Sequence, residues 1–371
     1  MKAVILTQHN YGVGHFVRSK RFAQLLRQHG YEVILVNGGV NVGAYGETLA
    51  GIEVYGLPPL LKRCLFDKVQ VGLDQQVDLV SLHRERREKL FDLVAESRPD
   101  IFITEFYPFS PERLSHTVGD LLSWLASHLP ECRVYSLVRD LPVSDCKAGK
   151  SLVPEQTDRI LRESYDGVLW ACSSSLLANP LRVPMRDHPC PLIPIGFIAP
   201  PFYAEIATEQ TFEVVVSCGA GEDGKQVITK LKKTKWFCGT PSKHRIGVFP
   251  GIYADRIESA WGSKRWKILL GCGPEEIAQH MQRAHLVICT AGYNSLVEAA
   301  FSGAACLTFF RVSSPEQAER ANAFAAAGYC RALPMDASAS AVDSALANLP
   351  TPPASFIAHT ATAHTLLQLK L

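Results

Sequence analysis

No C-x-x-C pair occurs in this 371-residue chain although it holds 11 cysteines. An odd, scattered set without that spacing excludes the common zinc frameworks and argues against a disulfide scaffold. Cys218, Cys289 and Cys306 fall inside apolar strand-like runs, where reduced thiols behave as small hydrophobes, so a reducing compartment is expected. Charge of one sign is not in excess: 38 basic residues face 36 acidic ones, net +2, so no overall field points to nucleic acid or to an anionic membrane surface. No apolar run approaches a membrane span, and that of MKAVILTQHN is too short for a signal-peptide core. A cytoplasmic enzyme is therefore expected. There is no fixed-period repeat, no low-complexity tract and no Asp-x-Asp, the close carboxylate pair that a metal-held nucleotide diphosphate usually wants.

What is present is an alternation of strand and helix patterns. KAVILT reads as a strand buried on both faces, GHFVRSKRFAQLLRQHG carries Phe16, Phe22, Leu25 and Leu26 at helical spacing, and EVILV is a second strand. Further strands are expected at 100–104, 132–138 and 167–172, with a helix at 111–128. Proline-dense sequence between 179 and 210 breaks the pattern and marks a linker. A second series follows at EVVVS, 245–250, 266–271, 285–290 and 306–310. The length suits two domains of roughly 150 to 200 residues each. The expected fold class is α/β: two Rossmann-like, doubly wound parallel-sheet domains facing across a cleft. Their expected bounds are 1–195 and 210–350, with a terminal helix over 351–371 returning to the first domain.

Ligands of such sheets bind outside the carboxyl ends of the strands, so the turns there carry the functional reading. In NYGVGHFVRS, Gly12 and Gly14 allow close backbone approach and His15 opens a helix; the third glycine and the acid of a dinucleotide fingerprint are replaced by Val17 and Asn37-Gly38-Gly39. His15 is either a first-turn residue facing water or a general base kept neutral by the positive helix end. Glu105, in TEFYPF, either orients His15 or contacts an acceptor hydroxyl, or is a surface carboxylate. In VRDLP, Arg139 would serve an anion and Asp140 a base; the plainer reading is a local ion pair.

SCGAGEDGKQV, 217–227, lies one residue short of a Walker A match. Gln226 stands where Ser or Thr would reach Mg²⁺, so Gly219 and Gly221 read as an anion-binding turn before a helix rather than an ATPase loop. In TAGYNSLVEAAFSG, Ala291 and Gly292 follow a buried strand, Asn294 and Ser295 cap a helix, and Glu298 lies one turn in, placed to accept from two vicinal hydroxyls. Glu316 and Gln317 open the next helix with heads suited to a sugar; the plainer reading leaves Glu298 and Gln317 as exposed helix positions. The charged LHRERREKL reads as a solvated helix face.

GVGH together with TAGYNSLVEAAFSG and EQAERANAFAAAG resembles the GT-B glycosyltransferases, particularly the branch of the peptidoglycan (lipid II) N-acetylglucosaminyltransferase. QHNYGVGHFVRSKRFAQLL, PDIFITEFYPF and SLVRDLP are similar to a bacterial group known only as predicted glycosyltransferases. The likeness runs from about residue 3 to 330. It implies metal-independent, inverting transfer from an NDP-sugar, with the donor held by the second domain and the acceptor by the first. By position, His15 becomes the candidate base. Gly219 and Gly221 form the domain-opening turn, Gly292, Asn294 and Ser295 meet the diphosphate, Glu298 the ribose and Gln317 the donor sugar. Ala291, where a glycine is common, and the bulky Tyr293 depart from that pattern.

The donor implied is a UDP-hexose or UDP-N-acetylhexosamine, as substrate rather than cofactor, and no metal is expected. The acceptor is a small molecule or lipid-linked, offering a hydroxyl or amine. Two alternatives stay open: a nucleotide-sugar epimerase or hydrolase of the same fold, and a P-loop ATPase or kinase dependent on Lys225.

Overall fold

The computed structural model describes residues 1–9, 13–40, 51–61, 71–72, 78–109, 111–139, 155–176, 189–201, 212–219, 222–239, 246–249, 266–353 and 356–361. They form two compact units, Met1–Ile198, which Ala361 rejoins through its N–H to the Phe197 carbonyl (2.8 Å), and Ala199–Thr360.

The first unit runs β1 (Lys2–Thr7), α1 (Gly14–Gln28), β2 (Glu32–Asn37), β3 (Glu53–Gly56), β4 (Leu60–Leu61), β5 (Val71–Gly72), α2 (Leu79–Ser97), β6 (Ile101–Glu105), α3 (Pro111–His128), β7 (Arg133–Arg139), α4 (Glu155–Ser164), β8 (Gly167–Ala171) and β9 (Leu192–Pro194). Its sheet has the order β3-β2-β1-β6-β7-β8-β9 and is parallel throughout, while β4 and β5 form a separate antiparallel pair. β1 is central, which is why five consecutive residues, Ala3 to Thr7, are all buried. α1 covers the sheet with Phe16, Phe22 and Leu26. β9 lies inside the proline-dense stretch read as linker; it is the sheet's last strand, where the missing N–H of Pro194 has no ladder partner to lose.

The second unit runs β10 (Val214–Ser217), α5 (Glu222–Leu231), α6 (Lys235–Gly239), β11 (Ile246–Phe249), β12 (Trp266–Ile268), α7 (Pro274–Arg283), β13 (Leu286–Thr290), α8 (Tyr293–Ser302), β14 (Ala305–Phe310), α9 (Pro315–Ala326), β15 (Arg331–Pro334) and α10 (Ala339–Ala347). The parallel order is β12-β11-β10-β13-β14-β15. Val227, Ile228 and Leu231 of α5 and Val342 and Ala345 of α10 bury against Val214, Val216, Val248 and Leu307 of the sheet. The segment expected as a terminal helix shows one 3₁₀ turn at Ile357–His359, and residues 362–371 lie outside the described residues.

Candidate active site

In each sheet the strand order reverses once, between β1 and β6 in the first unit and between β10 and β13 in the second. At such a reversal the connections leave to opposite faces, and a crevice opens beyond the carboxyl ends of the two strands. His15 follows β1, Glu105 ends β6, Gly219 follows β10, and Ala291 and Gly292 follow β13.

His15 Nδ1 lies 2.8 Å from Glu105 Oε1 and 2.7 Å from Oε2. Arg18, one turn further along α1, donates from Nη2 to Glu105 Oε1. The side chain of Glu105 is fully buried and that of Arg18 is 3% exposed, whereas that of His15 keeps 18% of its surface. The carboxylate facing Nδ1 accepts its proton, which leaves Nε2 as the basic nitrogen of the neutral ring. Arg18 Nη2 also approaches Nδ1 to 3.2 Å. A nitrogen that donates to a carboxylate has no lone pair for a second donor, so this is two donors converging on Glu105.

The turn after β6 holds this geometry. Phe106 has φ 65°, the left-handed region that non-glycine residues rarely adopt, and its ring meets His15 edge-on at 5.7 Å. The turn is fastened from several elements. Thr104 Oγ1 and Ser136 Oγ donate to the Tyr107 carbonyl (3.0 and 2.7 Å), Thr157 Oγ1 donates to that of Pro108 (3.2 Å), and Phe106 N–H donates to Leu137 O (2.9 Å). Arg139 lies over the Phe106 ring, 5.4 Å from its centre.

Beside β1, Asn37-Gly38-Gly39 has a packing explanation. A Cβ on Gly38 would meet Gln8 Oε1 at 2.4 Å and Arg86 Nη2 at 2.7 Å, and one on Gly39 would meet the His9 ring at 2.3 Å. Arg86 corrects the reading of LHRERREKL as solvated: its neighbours Arg84, Glu85, Arg87, Glu88 and Lys89 are exposed, but Arg86 is fully buried. It donates to Gln8 Oε1 (2.7 Å) and the Gly38 carbonyl (2.9 Å). Burial brings its guanidinium down to about 10, still cationic at neutral pH.

In the second unit Gly219 has φ 63°, and a Cβ there would lie 3.0 Å from Thr290 Oγ1, so the turn after β10 lies close to the carboxyl end of β13. Gly224 sits inside α5, where a Cβ would strike that of Cys218 at 2.5 Å. The near-Walker spacing is thus accounted for by close approach of helix to strand, and Lys225 and Gln226 face outward, exposed.

Asn294 and Ser295 are not the cap expected of them: α8 begins at Tyr293, and its N-cap is Gly292, which has no side chain to offer. Leu296 N–H takes the Gly292 carbonyl (3.0 Å), so the amides of Tyr293, Asn294 and Ser295 precede the helix's own ladder. A Cβ on Gly292 would meet nothing closer than Ser295 Oγ at 4.0 Å. Glu298 is buried, which removes its reading as an exposed helix position. Gln317 is half-buried; its Oε1 accepts the Arg311 N–H (3.1 Å), which orients the amide and leaves NH₂ as its donor end. Glu316 is half-buried at the start of α9.

Three charged residues of this unit escaped the sequence reading. Arg320 is fully buried and donates to the Ala291 carbonyl (2.7 Å), fixing the β13–α8 turn. Arg311 grips Asp223 through Nε (2.8 Å) and Nη2 (2.7 Å), tying the loop after β14 to the first turn of α5. Gly12, Asp140 and Gly221 lie outside the described residues. Among the described residues no group of three or more His, Cys, Asp or Glu could hold a metal ion, and no helix is long and apolar enough to cross a membrane.

Residues 274–368 match the model of the Glycosyltransferase family 28 C-terminal domain. No curated protein matches by sequence. Solved structures do match by fold. Spinosyn forosaminyltransferase SpnP is 13% identical with TM-score 0.62, covering 100% of this chain and 98% of that one. The glycosyltransferase SnogD from Streptomyces nogalater is 14% identical with TM-score 0.58 over 100% and 98%. A ugt transferase from Siraitia grosvenorii in complex with UDP is 13% identical with TM-score 0.55 over 93% and 90%. Carrying that family 28 domain match on two parallel Rossmann-like sheets, the chain is a glycosyltransferase of GT-B fold.

Proposed function

We propose that the protein transfers a hexose or N-acetylhexosamine from an NDP-sugar, UDP-linked, to a hydroxyl or amine of a small-molecule or lipid-linked acceptor, with inversion and without a metal ion. The observation that carries this reading is the His15–Glu105 contact, a partly buried imidazole whose Nδ1 proton is held by a buried carboxylate at the strand reversal. In the reaction Nε2 of His15 takes the acceptor proton while the acceptor oxygen or nitrogen bonds to the anomeric carbon. The bond from that carbon to the diphosphate oxygen breaks, and the nucleoside diphosphate leaves with the electron pair. Such a base contributes roughly 10²- to 10⁴-fold in rate.

The leaving diphosphate is received by the second unit. Main-chain amides of Gly219 and of Gly292 to Ser295 at the α8 N-terminus stabilise the developing negative charge, the Ala291 N–H being taken by the Phe309 carbonyl (2.8 Å). Glu298 accepts from the ribose hydroxyls, and Glu316 and the NH₂ of Gln317 address the sugar. UDP is favoured because the Siraitia grosvenorii enzyme and TcCGT1 were both solved in complex with it. The test is a panel of UDP-, dTDP- and GDP-sugars followed by thermal shift, since a ligand bound only by the folded form raises the melting temperature. Donor consumption is then followed with and without acceptor and chelator. Turnover without any acceptor would instead mark a hydrolase or epimerase, and loss of turnover in chelator would overturn metal independence.

A further inference from the structure

Arg18 stands one turn from His15 on α1 and shares its carboxylate partner. The cluster is therefore two candidate cations around one buried anion: Glu105 fully buried, Arg18 3% exposed and His15 18% exposed. With Arg18 paired to Glu105 the charges already balance, and a proton added to His15 would leave a net positive charge at the positive end of a helix. With Arg18 gone, Glu105 would lose a cation at hydrogen-bonding range, and the ring beside it would hold its proton more tightly. His9 and Arg139 also face this cluster. His9 sits in the turn after β1, within electrostatic reach of Glu105, and Arg139 lies over the Phe106 ring that meets His15 edge-on. The Arg139 guanidinium, and His9 when it takes up a proton, oppose protonation of His15 in the same sense as Arg18.

We propose that Arg18 is a positioning residue which, by occupying Glu105, keeps His15 in the neutral form able to act as base at neutral pH. This rests on His15 being the base. Arg18 acts through Glu105, to which it donates, so its role is read through the imidazole.

The experiment is an NMR titration of ¹⁵N-histidine-labelled protein, with the His15 signal assigned by its loss in His15→Gln, in wild type, Arg18→Met and Arg18→Lys. The pH profile of UDP-sugar turnover is recorded for the same variants. The expected result is a His15 titration moved upward by at least about one pH unit in Arg18→Met, with the acid limb of kcat/KM moving alongside it. On the acid limb, below both titration points, this is a loss of roughly tenfold that recovers as the pH is raised. Arg18→Lys, which keeps the charge, returns both to their wild-type place. Should Arg18→Met not fold, Arg18→Gln replaces it with the same expected shift. A His15 titration unmoved by loss of the Arg18 charge, with turnover falling equally at every pH, would reduce Arg18 to a structural residue and overturn the proposal. The base reading fails separately: His15→Gln turning over like wild type removes it, while the effect of Arg18 on the ring is still read directly by NMR.

Discussion

His15 Nδ1 and Glu105 Oε2 stand 2.7 Å apart although 90 positions separate them in the chain. The pairing follows from strand order: β1 and β6 are hydrogen-bonded neighbours, so the first turn of the helix leaving one and the last residue of the other share the same end of the sheet.

Replacing either partner should separate chemistry from folding. His15→Gln removes a ring that keeps some solvent exposure and should lower turnover roughly 10²- to 10⁴-fold with little change in melting temperature. Glu105→Gln removes the buried counter-charge of Arg18, and an uncompensated buried charge costs on the order of 3 to 5 kcal/mol. It should therefore lower both turnover and melting temperature. Equal melting curves for the two variants would contradict the buried ion pair.

The elements were legible where their pattern is strong. KAVILT, DIFIT and HLVICT are continuous apolar runs, and each is a central strand because both its faces are covered. β3 and β15 escaped because edge strands of four residues with polar and proline positions carry no such run. His15, Glu105, Gly219 and Gly292 could be singled out as turn residues after strands, since that much follows from α/β topology. Arg18, Arg86 and Arg320 could not. A buried arginine in FVRSK or PEQAER has the same letters as a solvated one, and only the partner, remote in sequence, distinguishes them.

Gly219 and Gly292 should respond differently to alanine. Gly219→Ala forces a φ of 63° on a residue with Cβ and brings that carbon to 3.0 Å from Thr290 Oγ1, a strain on the order of 1 to 2 kcal/mol. Its melting temperature should fall. Gly292→Ala has an ordinary φ of −66° and open space around the new Cβ, so the fold should be unaffected while a ligand approaching the α8 amides is pushed away. Weaker UDP-sugar binding at unchanged stability is the expected result. Unchanged binding would remove Gly292 from the donor contact.

Arg320→Met keeps the volume and deletes the donor to the Ala291 carbonyl. A buried carbonyl left without its partner costs on the order of 1 to 3 kcal/mol, or roughly 2 to 4 °C per kcal/mol in a domain of this size. Because the same turn carries the proposed diphosphate contacts, donor affinity should fall together with stability. A variant that melts early yet binds UDP-sugar as before would confine Arg320 to the fold.

Acid should destabilise the protein beginning near the ordinary histidine value. Burial is the main cause lowering the affinity of His9, His83 and His280 for a proton below the ordinary 6.5. Below that value the unfolded chain binds protons that the folded one refuses, so the stabilisation is fully present above 6.5 and is lost as the pH falls toward the lower folded values. Asp78, held low mainly by the backbone N–H of Ser81, adds its own loss only beneath its ordinary 3.8, so the two windows separate. His280 is the group to alter, because its ring lies against Phe212 at 5.1 Å and Phe249 at 5.3 Å and an apolar ring can take its place. His280→Phe should shrink the difference between melting temperatures measured at about pH 7.5 and about pH 5.5. An unchanged difference would mean that its burial does not feed the acid sensitivity of the second unit.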